Sequence, residues 1–398
     1  MATTNPMVDA GAASVESGGS VLVMLPGTQP AQIDAIVANL TASMPSENLV
    51  IAAPEGTTSD SNAKVHFVEL PAGQPSWTLT AGDFVSAHQL AEKNNAHAIL
   101  LLGAESSSLS STALTSLAQA VTANSADLAI PCYELPPRAG LVNSSILYPV
   151  SRALFATRVR FPLAIDLGLS LGMAERLAAA AQRYVALNQS ESPLWVVNEA
   201  MVAGMKIDEV EVGARELPQP PDPDLNTILP FVTGSLFADI EAKAAFWQRA
   251  RISQPLRRQT SLTSSVTTDS SAEAASMLQG FRLAYANLRE IWGLVLPPNT
   301  LLGLKRLSLI EGAAFRMPES LWARIVYDFL IAYRLRTINR GHLLGALIPL
   351  YLAWVASHIN AIASGEDPER HIDTHAAAFE AEKPYLVARW RWPDRFNP

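Results

Sequence analysis

Basic residues are almost missing from the first part of this 398-residue chain: before Arg138 the only Lys or Arg side chains are Lys64 and Lys93. Twelve acidic residues share that stretch, so its formal charge is −10 against −8 for the whole chain, and the remainder carries about +2. A nucleic-acid partner, which needs a basic field, is not expected. Nor can side-chain charge alone hold a phosphate there; a divalent metal or backbone N–H groups would have to help. Cysteine is nearly absent too. Cys132 stands alone, which excludes an intrachain disulfide and a Cys-rich zinc site. Its apolar setting, LAIPCY, reads as that of a buried structural thiol, because a reactive one needs an electropositive, accessible place.

Other absences narrow the chemistry. There is no P-loop, no G-x-G-x-x-G, no G-x-S-x-G and no H-E-x-x-H. His371 and His375 have the i, i+4 spacing that can put two ligands on one helix face, but without an H-E-x-x-H context they read as a surface pair. The N-terminus has neither a basic n-region nor an apolar h-region, so no targeting signal and a cytoplasmic location are expected. Residues 341–364 carry no Asp, Glu, Lys or Arg. They exceed the count of about 20 needed to cross a bilayer. Pro349, His342, His358 and Asn360 are unfavourable in hydrocarbon, and the segment reads as one or two buried helices of a bundle, with no membrane span.

Apolar residues make up 49% of the chain, enough for a sizeable core. After a small, polar tail at 1–19, residues 20–252 alternate short apolar runs with helical stretches. VLVMLP (21–26), NLVIAAP (48–54), KVHFVEL (64–70), HAILLLG (97–103) and DLAIPCY (127–133) predict strands buried on both faces. QPAQIDAIVANLTASM, AGDFVSAHQLAEKNN and SSTALTSLAQAVTAN predict the helices between them. Such alternation implies a mainly parallel sheet in a three-layer, Rossmann-like α/β domain. Ligands of these sheets bind beyond the carboxyl ends of the strands, which points to the loops after Pro26, Pro54 and Gly103. A Ser/Thr-rich stretch at 253–276 predicts a linker or mobile loop, and 277–398 an all-helical C-terminal domain.

The run NSSILYPVSRALFATRVRFPLAIDLGLS (143–170) holds Tyr148-Pro149, Arg152-Ala153-Leu154, Arg158-x-Arg160-x-Pro162 and Asp166-x-Gly168. It resembles a segment of bacterial glycosyltransferases similar to mannosylglycerate synthase and glucosyl-3-phosphoglycerate synthase. EVGAREL (211–217), ILPFVTGSLFADIEAKAAFW (228–247), MPESLWARIVYDFLIAYR (317–334), HLLGALIPLYLAWVAS (342–357) and FEAEKPYLVARW (379–390) resemble the same family. The resemblance implies a GT-A type fold in which a nucleotide-sugar donor lies over the first strands, a D-x-D motif holds Mg²⁺ or Mn²⁺, and later segments hold a small acceptor.

Carried onto this chain, the resemblance gives a candidate site. Pro26 and Gly27, with Glu55 and Gly56 after the second strand, would face the nucleotide; generic surface turns are the alternative for both loops. At the D-x-D position stand Gly103-Ala104-Glu105, so Glu105 alone remains to bind a metal and the donor, or is a solvated loop acid. Where the family has a metal-binding His the chain has Leu217, and the nearest substitutes are Asp222 and Asp224. Asp166 would be the catalytic carboxylate beside sugar and acceptor. Arg152, Arg158 and Arg160 would hold an anionic, glycerate-like acceptor by two-pronged contacts, or else pair with local acids. Two functions fit. One is sugar transfer from a nucleotide donor to a small acceptor. The other is a catalytically degenerate relative that binds a ligand or partner, because loss of metal ligands costs on the order of 10³-fold or more in rate. Apolar C-terminal helices could build a homodimer interface or a monomer core.

Overall fold

Short apolar runs closed by proline or glycine assemble into one sheet. The computed structural model describes residues 20–54, 65–70, 76–123, 125–219, 224–250 and 271–393. Among these the strands are β1 (Ser20–Met24), β2 (Asn48–Ala53), β3 (Val65–Glu69), β4 (Ala96–Leu102), β5 (Leu128–Glu134), β6 (Asp166–Ser170) and β7 (Ile207–Ala214). They lie in the order β3-β2-β1-β4-β6-β5-β7. β6 runs antiparallel to β4 and β5, and every other pairing is parallel. The five apolar runs thus become β1 to β5, but β3 is not buried on both faces as expected: it closes one edge of the sheet and is half-buried to exposed.

Helices follow as α1 (Pro30–Ser43), α2 (Ala81–Lys93), α3 (Ser111–Thr122), α4 (Tyr148–Phe155), α5 (Leu171–Ala186), α6 (Val196–Ala203), α7 (Leu225–Ala242) and α8 (Ala244–Trp247). The C-terminal part adds α9 (Ser271–Asn287), α10 (Arg289–Val295), α11 (Pro298–Leu307), α12 (Glu319–Leu335), α13 (Arg340–Ala363) and α14 (Pro368–Arg391). α3 packs beside α1, and α2 beside α5, with the two pairs on opposite faces of the sheet. This is the three-layer α/β arrangement expected from the strand–helix alternation, with a helical C-terminal extension. α9 begins at Ser271, inside the stretch read as linker; the tail at 1–19 and residues 253–270 lie outside the described residues.

Two hydrophobic cores form. Val21 to Met24 of β1 and Ala98 to Leu102 of β4 are wholly buried at the centre of the first, each Val or Leu contributing roughly 1.5–3 kcal/mol of transfer free energy. The second joins α4, α7 and α8 to the C-terminal helices. α13 is the one described helix long and apolar enough to cross a membrane, and 78% of its most apolar window is buried in the protein. It is a single helix, with Pro349 inside it, packed on α9, α7 and α12.

The expected surface pair is not at the surface. His371 is 6% and His375 0% exposed. Both face α13, where Trp354 and His358 stack on His371 and the Trp354 ring lies tilted against His375. The i, i+4 spacing marks the buried stripe of α14. His371 spends its Nδ1 on His358 Nδ1 at 2.7 Å, and His375 Nε2 meets the Ser145 carbonyl at 3.1 Å.

Candidate functional site

A cleft of about 510 Å³ opens at the carboxyl ends of β1, β2 and β4, the place the strand pattern indicates. Pro26, Gly27 and Pro54 line it from the first two strands, and Gly103 and Ala104 from β4. Trp77, Asp83 and Ser86 line another wall, with Ser190 and Glu191 beside them. Gly27 has φ +70°, and a Cβ there would lie 3.1 Å from the Ser76 carbonyl oxygen, so the loop needs glycine. Glu55 and Gly56 lie outside the described residues.

The position expected to hold a metal is built differently. Gly103 N–H donates to the Ile165 carbonyl at 2.9 Å and to Asp166 Oδ1 at 3.2 Å. A Cβ on residue 103 would meet that same Ile165 oxygen at 2.9 Å. The loop entering β6 has therefore closed onto the spot where the first carboxylate of a D-x-D would stand. Glu105 keeps its acid, but its Oε2 accepts from Gln32 Nε2 at 2.8 Å, and the residue sits in the left-handed region at φ 61°. Leu217 packs against the first core. Asp224 caps α7 by accepting from Asn226 N–H at 3.0 Å, and Asp222 lies outside the described residues.

Arg215 occupies the centre of this arrangement. Its side chain and that of Asp166 are both 0% exposed. Nε donates to Asp166 Oδ2 at 2.9 Å and Nη2 to Oδ1 at 3.1 Å, a two-pronged pair. The remaining N–H groups reach the carbonyls of Ala104 (2.8 Å), Glu105 (2.6 Å) and Glu216 (2.6 Å) and Ser108 Oγ (3.1 Å). Tyr133 Oη adds a fourth contact to Asp166 at 3.0 Å. Burial works against the Arg215 charge, but the Asp166 carboxylate overrides it and the pKa lies above the ordinary value. Burial, and then the Asp166 charge, push the Tyr133 phenol well up. A permanent cation thus organises the β4 loop.

This donor set does not fit a divalent ion. One carboxylate is already hydrogen-bonded, the position of the second is sterically closed, the histidine position is a core leucine, and a guanidinium stands among them. Gly103→Asp should therefore not create a Mn²⁺ site. The forced contact should cost about 1–3 kcal/mol instead. Urea denaturation and Mn²⁺ EPR on the purified variant check this; tight Mn²⁺ uptake at native stability would show that the loop opens freely.

Asp166, expected as the catalytic carboxylate, has both oxygens engaged and no exposed surface, so it serves as the anion that anchors Arg215. Arg152 and Arg160, expected at the acceptor, face α14. Arg152 grips Glu380 through Nε and Nη2, both at 3.0 Å, and its Nη1 reaches Asp373 at 3.3 Å. Arg160 grips Glu369 at 3.1 Å through Nε and Nη2. Both guanidiniums approach the Tyr148 ring, at 5.9 and 5.2 Å. Arg158 is half-buried, and its Nε has no hydrogen-bond partner among the described residues. None of the three lines the cleft. Sequence alone did not single out Arg215, Trp77 or Asp83; the signals were a basic residue in the EVGAREL run and the Thr80-x-x-Asp83 spacing of a helix start, where Thr80 N–H and Oγ1–H donate to Asp83 Oδ2 at 2.8 and 2.9 Å.

Strand order, the cleft's place and the helical extension together define a three-layer α/β protein with a ligand-sized cleft at the carboxyl ends of its strands. No family model matches the chain, and no curated protein matches it. Among solved structures it is similar to glucosyl-3-phosphoglycerate synthase from Mycobacterium tuberculosis in complex with phosphoglyceric acid, at 14% identity and a TM-score of 0.36, over 56% of this chain and 80% of that one. The same enzyme with Mn²⁺, UDP-glucose and glycerol 3-phosphate matches at 15% identity and a TM-score of 0.35, with the same coverage. At this identity and overlap the similarity is one of strand and helix arrangement.

Proposed function

We propose that this protein binds a small molecule in the cleft of a glycosyltransferase-type fold and does not carry out metal-dependent sugar transfer. One observation carries the reading: the Arg215 guanidinium, paired with Asp166 and bonded to three carbonyls of the surrounding loops, stands where a divalent ion would have to neutralise a departing diphosphate. A second reading, an active transferase taking a nucleotide-sugar donor and a small anionic acceptor, is supported by Pro26 and Gly27. Both lie on the cleft wall where a nucleotide was expected.

A thermal-shift panel of nucleotide sugars and free nucleotides, with and without Mn²⁺ or Mg²⁺, separates the two. A bound ligand raises stability by RT ln(1 + [L]/Kd). The expected result is no metal-dependent shift with any nucleotide sugar at millimolar concentration. A Mn²⁺-dependent shift with one donor, lost in Glu105→Ala, would overturn the proposal and restore the transferase.

A further inference from the structure

The cleft's described walls carry a distinctive chemistry. Asp83 and Glu191 are its only charged side chains; hydroxyls, including Ser86 and Ser190, and the half-buried indole of Trp77 make up much of the rest. No Lys, Arg or His lines it among the described residues.

Most backbone donors at the helix ends beside the cleft are already taken. Helix N-termini are the usual phosphate cradles in α/β folds, and two begin beside this cleft. At α2 the first-turn donors are spent: Ala81 N–H on the Ser192 carbonyl at 2.9 Å, Gly82 N–H on Ser190 at 3.0 Å, Asp83 N–H on Thr80 at 3.1 Å. Asp83 also puts a negative charge in that turn. At α1 Pro30 has no N–H to offer, and Gln32 N–H donates to Gln29 at 2.9 Å. Gly103 N–H is held by Ile165 and Asp166. The walls are therefore rich in acceptors and hydroxyls and poor in anion donors. Burial, with the nearby Glu191 charge adding to it, raises the Asp83 pKa, while Thr80 opposes through its hydrogen bonds.

Trp77 is fixed for contact. Phe231 of α7 packs against it with ring centroids 6.0 Å apart and planes at 57°, and the indole also forms part of the cleft wall. Asp83 Oδ2 is committed to Thr80, which orients the carboxylate.

We propose that the cleft binds a saccharide without phosphate, a neutral or amino sugar that lays its apolar ring face on Trp77 and donates hydroxyl protons to Asp83 and Glu191. The cleft volume of about 510 Å³ suits one or two sugar rings. This rests on the metal-independent reading above and names its ligand class.

The test is ligand-observed NMR and calorimetry on the full chain. The probes are glucose, mannose, glucosamine and maltose, with glucose 6-phosphate and metal-free UDP-glucose alongside. At least one free sugar should bind, and sugar phosphates should bind no better than their parents. Trp77→Ala should weaken binding about tenfold while Trp77→Phe, which keeps an aromatic face against Phe231, retains most of it; far-UV circular dichroism confirms that each variant is folded. Selective binding of the phosphorylated probes, unchanged affinity in folded Trp77→Ala, or silence of every free sugar would each overturn the inference. Silence would leave the metal-independent reading standing. Mn²⁺-dependent binding of a nucleotide sugar would overturn both.

Discussion

Replacing Arg215 with methionine should destabilise the α/β part by roughly 3–5 kcal/mol, because it leaves the Asp166 carboxylate buried without its partner. Asp166 has no exposed surface to recover hydration. The same change removes donors from the carbonyls of Ala104, Glu105 and Glu216, and Glu105 loses a bond that holds it at φ 61°. Arg215→Lys should recover only part of the loss, since an ammonium cannot make the two-pronged contact and serve three carbonyls together. The double variant Arg215→Met/Asp166→Leu should be more stable than Arg215→Met alone, since no unpaired charge remains. Equilibrium urea unfolding of the four proteins settles the matter. A loss below about 1 kcal/mol in Arg215→Met would mean that the loops hold themselves and that the guanidinium is incidental.

Acid should weaken the helical part through its buried histidines. His358 and His375 are nearly inaccessible, and burial, followed by neighbouring positive or imidazole groups for His358, pushes both down to about 3. His371 is lowered as well, burial outweighing the pull of Glu366 and Glu319. Arg160 and Arg316 are the cations facing the cluster. In the unfolded chain such groups titrate near 6.5. The folded values are lower, so below about pH 6.5 the unfolded state takes up more protons. The histidines' contribution is complete above that pH and falls continuously towards pH 3, while Asp328, which burial raises to about 7, works in the opposite direction over part of this range. At pH 5 the loss is about 2 kcal/mol for each of the two strongly shifted histidines, or about 4 together. Urea midpoints at pH 8, 6.5 and 5 measure it. His358→Leu/His375→Leu should flatten the profile between 6.5 and 5, and an unchanged slope in a folded double variant would assign the acid sensitivity elsewhere.

The sequence shows β1, β2, β4 and β5 and the helices beside them well, because each of these strands is a continuous apolar run, whereas β3 at the sheet edge is only half-buried. β6 and β7 escape such a reading for opposite reasons. β6 is five residues, DLGLS, with a glycine at its middle and an acid at its start. β7, IDEVEVGA, lies at the sheet edge and interleaves Asp208, Glu209 and Glu211 with its apolar residues. The site was legible in place more than in content. The loops after β1 and β4 do form the cleft. Missing metal ligands could be seen at Gly103 and Leu217, yet nothing local revealed that Arg215 fills the gap, since its partners lie 49 and about 110 positions away along the chain. The three arginines of 152–160 were conspicuous for the right reason, scarcity of basic residues, but a sequence cannot tell a ligand carboxylate from Glu369 or Glu380 two hundred residues later.

Those last two ion pairs bear on how the protein is made. Arg152 and Arg160 are buried and pair with carboxylates of α14, more than two hundred residues further along the chain. Until that helix docks the N-terminal part carries guanidiniums that cannot be buried without loss. Domains ordinarily fold in order of synthesis; here two buried guanidiniums of the α/β part depend on carboxylates made more than two hundred residues later, so that part gains its full stability only once α14 has docked.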